Sequence, residues 1–499
     1  MADPVEILII IAYFIGLVII GAYASRKIKN CDDFICAGRS IGFWMFTLLM
    51  IGTVCSGMSI LGVSGFGFRS GWPGIWEQIA VPLAIGFCII FFGVKLQKIS
   101  QKKGYMTVQD YFADRYESPR TMRSLSAVAG IIVSLIYLAG QYTAIAIVLS
   151  WLLGIPHLWA LIIAGIIVTL YTVIGGLYAV AWTTFVQGTL LIIGVLIIAP
   201  LIIIAAGGFS HINEVLAGID PNLVQPYFPN VYAPYAFATP EYLFSFVILL
   251  TVGLACAPHV INNVLTVKEA KYFKWVPLIA FIVYGAIMFL IKFVGFAGRA
   301  MVEESQLILP DIPNPSDSIF VYGVQYVSPS VVIWAFFAVI VLAAVMSTTD
   351  RLMLTVGSMV GWDIYRNVWR PKAPDKEVLR VSQVTTIIAA VLTLYFAINP
   401  QLLAPLIWLG IGVMLSAFAV PLFAGLYWRR ATREGAIASM SLGIISAGIF
   451  ANLKGLPFHF SLYALIVSML GMIIISLLTP PSSKKALDET LTGPFIQGK

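Results

Sequence analysis

Polar residues along this chain do not recur at every third or fourth position; they gather in short clusters between long apolar runs. A surface helix of a soluble protein keeps a polar face opposite its apolar stripe, whereas these runs are apolar all round, as bilayer spans are. Thirteen runs are predicted to be helices, at 6–25, 42–67, 74–96, 124–153, 157–178, 182–206, 240–264, 273–298, 329–361, 381–398, 402–428, 435–453 and 459–479. The strands of a membrane β-barrel alternate apolar with polar residues, and these runs do not. The expected fold class is therefore all-α integral membrane, with about 13 transmembrane helices in a single transmembrane domain over 1–499.

Two of the spans carry interruptions. The run at 42–67 holds Gly52, Thr53, Ser56, Gly57, Ser59, Gly62, Ser64, Gly65 and Gly67. That density of glycine and hydroxyls weakens a helix and invites unwinding within the membrane. The run at 240–264 holds Gly253, Pro258, Asn262 and Asn263, and a proline inside a span removes a hydrogen bond and clashes with the preceding turn. With the first span set aside, each interrupted span opens a group of five. The pattern predicts a five-plus-five inverted-repeat transporter core with two broken helices, the first repeat over 42–206, the second over 240–428, and C-terminal accessory helices in 435–479. The competing reading is that the small residues only form helix-packing grooves.

Composition sharpens this picture. Of 499 residues 60% are hydrophobic and 11% charged, against about one-quarter charged in soluble chains. The net charge of +7 could suggest a nucleic-acid surface, but 25 of the 30 basic residues fall in one alternate set of loops and the tail. The opposite loops hold Arg69, Arg299 and Lys454, and 206–239 has no basic residue. The positive-inside rule then predicts a multi-pass plasma-membrane protein in the lipid bilayer, with its N-terminus outside, its C-terminus cytoplasmic and no nucleic-acid partner. The acidic start, Met1 to Glu6, lacks a basic n-region and a cleavage site, so the first run is expected to be a retained helix. Cys31 and Cys36 lack the second pair that a zinc site needs. There is no HExxH, GxSxG or Walker loop, so neither an enzyme nor a nucleotide-driven pump is expected, and no cofactor. No feature of the sequence sets an oligomeric state. A channel, a non-transporting sensor and a secondary transporter remain, and the paired interruptions favour the last.

Several short stretches, in order, resemble the sodium/solute symporter family, whose members include proline, pantothenate, sugar and sialic acid carriers. They are Asp32-Asp33-Phe34 through Gly38-Arg39, Thr107 to Phe112 with Arg115-Tyr116, and Gly175-Gly176-Leu177 with Val180, Trp182-Thr183 and Gln187. Ala343 to Thr348, then Tyr427 to Ala431 with Gly435-Ala436, continue the series. The pantothenate branch is the most similar, through Ala205 to Gly208, Ile219-Asp220-Pro221, Pro258-His259 and Gly298-Arg299-Ala300. The resemblance implies a sodium-coupled importer of a small organic solute working by alternating access, the solute being a carboxylate such as pantothenate, a monocarboxylate, or an amino acid.

It also implies a sodium site made of Gly52 and Cys55 on the first broken helix with Ala344, Ser347 and Thr348 on the ninth span. The chemistry suits a hard cation, and Ala344, Ser347 and Thr348 stand at i, i+3 and i+4 on one helical face. Without the resemblance, Ser347 and Thr348 would read as hydroxyls bonded back to their own helix. A second sodium site of some relatives does not carry over, because Trp182-Thr183 is followed by Thr184 where they have aspartate. The two hydroxyl positions after the main site are here Asp350 and Arg351, a charge pair deep in a span and expected to serve function. The reading is that the Arg351 guanidinium replaces the second ion, leaving one sodium per solute, with Asp350 balancing charge or relaying a proton or ion; the bland alternative is a structural ion pair. A proton-coupled carrier using Asp350, a sensor and a channel are the other classes.

For the solute, the resemblance implies Ser56, Ser59, Gln78 and Gln141, with Tyr142 adjacent, a neutral pocket of hydroxyls and amides. Leu250 and Leu254 stand where proline carriers have aromatic residues, which tells against proline. Glu77 and Lys292 could bind the solute, but both lie near span ends, where snorkelling to the interface is the commoner explanation.

Overall fold

The computed structural model describes residues 3–228, 239–309, 315–328, 330–398 and 403–491. Among them the regular structure is helical, apart from one isolated bridge between Ile41 and Val267. Helix α1 is Pro4–Ser25. The first interrupted span is α2, Phe43–Val54, followed by α3, Met58–Ser70, at an angle of 65°. Then come α4 (Trp72–Lys103), α5 (Thr121–Leu153) and α6 (His157–Ala205). The second interrupted span is α7, Pro240–Gly253, followed by α8, Pro258–Leu265, at 45°. Five further helices follow: α9 (Val276–Glu303), α10 (Val331–Trp369), α11 (Asp375–Ala397), α12 (Leu409–Tyr427) and α13 (Arg433–Phe450). Helix α14, Phe460–Leu478, follows.

Nine of the described helices are long and apolar enough to cross a membrane, and eleven if each bent pair is one span. Helix α6 has 49 residues, about 74 Å as a straight rod, more than twice the roughly 30 Å hydrocarbon core. It contains both the spans expected at 157–178 and 182–206. The division falls at Gly176 (φ 50°, ψ −149°) rather than in a loop at 179–181. An added Cβ there would lie 2.5 Å from Phe34 Cδ2, so the chain turns where only glycine fits.

The two interruptions form by different means. After Val54, Cys55 is extended at φ −74°, ψ 101°, and its amide still donates to Ile51 O at 2.7 Å. In the second, Ala257 is extended at φ −60°, ψ 130°, and Pro258 opens the next helix, where its missing N–H costs nothing and the preceding residue is pushed out of the helical region.

Helix α10 is the hub. Every residue from Phe337 to Met359 is buried, polar ones included, because α10 is packed by α5, α6, α1 and α2 together. Helix α9 lies along α3 and α4, and α13 pairs with α14 beside α12. The core thus surrounds the two breaks and the middle of α10.

Candidate functional site: a ring of oxygens at the first break

Unwinding after Val54 frees carbonyls that a continuous helix would use internally. Three of them face α10. Thr348 Oγ1 stands 2.9 Å from Gly52 O, 2.8 Å from Cys55 O and 3.4 Å from Thr53 O. Ser347 Oγ is 3.0 Å from Gly52 O and 2.8 Å from Ala344 O. Gly52, Cys55, Ala344, Ser347 and Thr348, the five residues singled out for sodium, therefore place five oxygens in one buried cluster with no formal charge. Their chemistry fits a hard monovalent cation: each hydroxyl can turn its proton away and offer a lone pair, and the carbonyls need no deprotonation. Gly52 lets α2 lie close against α6, since an added Cβ would fall 2.4 Å from Thr184 Cγ2.

Asp350 and Arg351, one turn further along α10, do not pair with each other. Asp350 Oδ2 accepts from Tyr171 Oη and from Thr183 Oγ1, both at 3.2 Å, while its buried Oδ1 has no partner. Arg351 turns the other way, to the second break, where Nε donates to His259 O at 3.2 Å. The ion-pair alternative fails because successive helical residues point about 100° apart, and each side chain finds its partner on a different neighbour.

The residues considered for the solute divide. Gln141 Oε1 accepts from Gly57 N at 2.9 Å, and its buried Nε2 is unpartnered. Ser59 Oγ accepts from Ser56 N at 3.0 Å and bonds Tyr284 Oη at 3.1 Å. Ser56, Ser59 and Gln141 therefore meet at the start of α3. Tyr142 does not join them; its hydroxyl reaches Met353 Sδ at 3.2 Å. Gln78 sits apart, its Nε2 3.3 Å from Glu77 Oε2 and its Oε1 buried without a partner. Two tyrosines went unnoticed in the sequence: Tyr284, and Tyr137, whose hydroxyl faces Ser56. Neither belongs to a motif; both are single aromatic residues in apolar runs.

Glu77 and Lys292 correct the snorkelling expectation. Lys292 is 0% exposed, its ammonium 3.1 Å from Glu77 Oε2 and 4.2 Å from the centre of the Phe66 ring. Close packing of α3 on α9, with Gly67 against Lys292 O, leaves the side chain no path to an interface. Nearby, Arg69 Nη1 pairs with Asp317 Oδ1 at 3.1 Å; burial pushes the Asp317 carboxyl up while Arg69 pulls it down. At the opposite end of the core a second buried ion cluster joins Arg123 to Asp110 and Asp363, with Thr107 Oγ1 donating to Asp363 Oδ1 at 2.7 Å. Asn262 Oδ1, on α8, accepts from Val108 N beside it at 2.8 Å.

Comparisons with known proteins bear on the whole assembly. A sodium/pantothenate symporter of Escherichia coli (strain K12) is 27% identical over 480 residues, covering 94% of this chain and 95% of that protein. A sodium/proline symporter of Salmonella typhimurium is 27% identical over 487 residues, covering 93% and 91%. Among solved structures, a substrate-bound, outward-open Na+-coupled sialic acid symporter gives a TM-score of 0.79 at 18% identity over 97% of this chain and 99% of that one. The inward facing conformation of Mhp1 gives 0.54 at 13% identity over 91% and 95%. These two share the fold of this chain. Residues 34–443 match the sodium:solute symporter family, and the chain belongs to that family.

Proposed function

We propose that this chain imports a small organic solute bearing a carboxylate, such as pantothenate, another monocarboxylate or an amino acid, with one sodium ion per solute. The observation that carries the reading is the convergence of Gly52, Cys55 and Ala344 carbonyls with the Ser347 and Thr348 hydroxyls between the first break and α10. A sodium ion there ties α10 to both sides of the interruption and favours the arrangement in which α3 starts beside Gln141. The solute occupies the adjoining space at Ser56, Ser59 and Gln141. The pantothenate and proline symporters among its relatives support a carboxylate solute.

The two repeats, 42–206 and 240–428, exchange access between the faces of the plasma membrane, with the N-terminus outside and the basic loops in the cytoplasm. Low internal sodium empties the site and releases the solute. The membrane potential adds about 2.3 kcal/mol per charge per 100 mV, so one ion drives useful accumulation. Arg351 stands as a fixed positive charge beside the second break, which supports a single mobile cation.

A second reading rests on Asp350, a buried carboxylate with one oxygen unpartnered, which suits a carrier that couples to protons. Proteoliposomes separate the two. Labelled pantothenate, lactate and proline are offered with a sodium gradient at uniform pH, and with a pH gradient in sodium-free buffer. Uptake of one of them with sodium alone is expected; uptake driven only by the pH gradient would replace sodium coupling with proton coupling at Asp350.

A further inference from the structure

Tyr284 belongs to neither the oxygen ring nor the set of residues assigned to the solute, yet its hydroxyl lies between them. It is fully buried on α9 and bonds Ser59 Oγ at 3.1 Å. Ser59 Oγ in turn accepts from Ser56 N at 3.0 Å, and the carbonyl of that same peptide unit is Cys55 O, a ring oxygen 2.8 Å from Thr348 Oγ1. One side chain from the second half of the molecule therefore reaches, through Ser59, the peptide that closes the first break.

The hydrogen-bond inventory gives this contact a direction. A serine hydroxyl accepts through two lone pairs and donates one proton. The backbone N–H of Ser56 fills one lone pair of Ser59. If Tyr284 donates into the other, the proton left on Ser59 is free for an acceptor oxygen in the adjoining solute space. A directed chain results, from Tyr284 through Ser59 to the solute, with Ser59 also holding the Cys55–Ser56 peptide through Ser56 N, and such chains strengthen when their terminal acceptor arrives.

We propose that Tyr284 is the positioning residue that couples solute binding to sodium binding, by fixing the Cys55 backbone when a solute oxygen accepts from Ser59. This rests on the sodium-symport reading above. It makes a thermodynamic claim: coupling is reciprocal, so saturating solute must lower the sodium concentration for half-occupancy, by about five-fold or more at the usual coupling strengths. Tyr284→Phe keeps the ring and removes the link. It should leave sodium affinity in the absence of solute within two-fold of the wild type, as an order-of-magnitude expectation, and collapse the solute-induced shift toward one.

The experiment is a sodium titration of the purified full chain, followed by thermal shift, with and without whichever of pantothenate, lactate and proline the wild type accumulates. A merely packing role would lower the melting midpoint at every sodium concentration and leave the shift between the two titrations intact; that result overturns the proposal. If Tyr284→Phe does not fold, Tyr284→Leu, which also lacks the hydroxyl on Ser59, must likewise shrink the shift; a full shift there overturns the proposal equally. A wild type that shows no linkage between sodium and any of the three solutes overturns the symport reading and this inference together. Linkage in the wild type that persists in the variants overturns this inference alone.

Discussion

The two breaks occupy corresponding places in the core and differ in chemistry. The first collects acceptors: carbonyls of Gly52, Cys55 and Ala344 meet hydroxyls of Ser347 and Thr348. The second is met by a donor, Arg351, on His259 O, and carries an imidazole whose two nitrogens are both buried and unpartnered. In the reading proposed above, the first break therefore offers acceptors to a mobile cation, whereas the second is met by the guanidinium of Arg351. The means of breaking matters here. Glycine and hydroxyls at 52–57 let α10 approach within hydrogen-bonding distance, whereas Pro258 enforces the second break by itself and leaves its surroundings free to carry charge.

The largest expected effect comes from closing the gap between the first break and α6. Gly52→Ala puts a methyl 2.4 Å from Thr184 Cγ2, and this contact must push the first break away from α6. Sodium-dependent uptake should fall to background, while Gly52→Ala with Thr184→Ala, which removes the opposing methyl, recovers part of it; unchanged uptake in the single variant would separate the break from sodium. Next, Thr348→Val keeps the shape and deletes the hydroxyl shared by Gly52 O and Cys55 O. Losing one of the five proposed ligand oxygens costs about 1–3 kcal/mol of ion binding, so the sodium concentration for half-maximal uptake should rise roughly 5- to 150-fold.

A smaller effect sharpens the contrast from the other side. Arg351→Ser removes the fixed cation at the second break. Measured with a set of imposed voltages, the wild type should move one sodium per solute and the variant should change its sodium dependence; two ions per solute in the wild type would defeat the role given to Arg351. The smallest effect concerns the contact between the breaks. Asn263 Nδ2 donates to Thr53 Oγ1 at 3.0 Å, and Asn263→Ala should cost about 1 kcal/mol and lower the melting midpoint by roughly one to two degrees without altering sodium affinity. A changed sodium affinity would show the two breaks to be energetically joined.

Much of this was legible in the chain. The apolar runs located the helices, though α4, α10 and α11 run further at one end and two expected spans form the single α6; Pro258 and the glycine-hydroxyl cluster marked the breaks, and the family resemblance drew attention to the five residues of the oxygen ring. The positions that escaped share a cause. A span that is apolar all round carries no stripe to say which side faces inward, so neither Tyr284 nor Tyr137 could be told from an ordinary core aromatic. For the same reason Tyr142, next to Gln141, could not be seen to turn to Met353.

The sequence by itself determined a membrane protein of many helices, the two points where helices must break, and which residues there have oxygen to offer. Burial and direction were decided by the tertiary structure alone. Lys292 is hidden because α3 packs against α9 through Gly67, a contact between residues over two hundred positions apart. Asp350 and Arg351 are neighbours in sequence that serve different helices, because adjacent positions on α10 face different sides and only the packing of α6 and the second break around it supplies each with its partner.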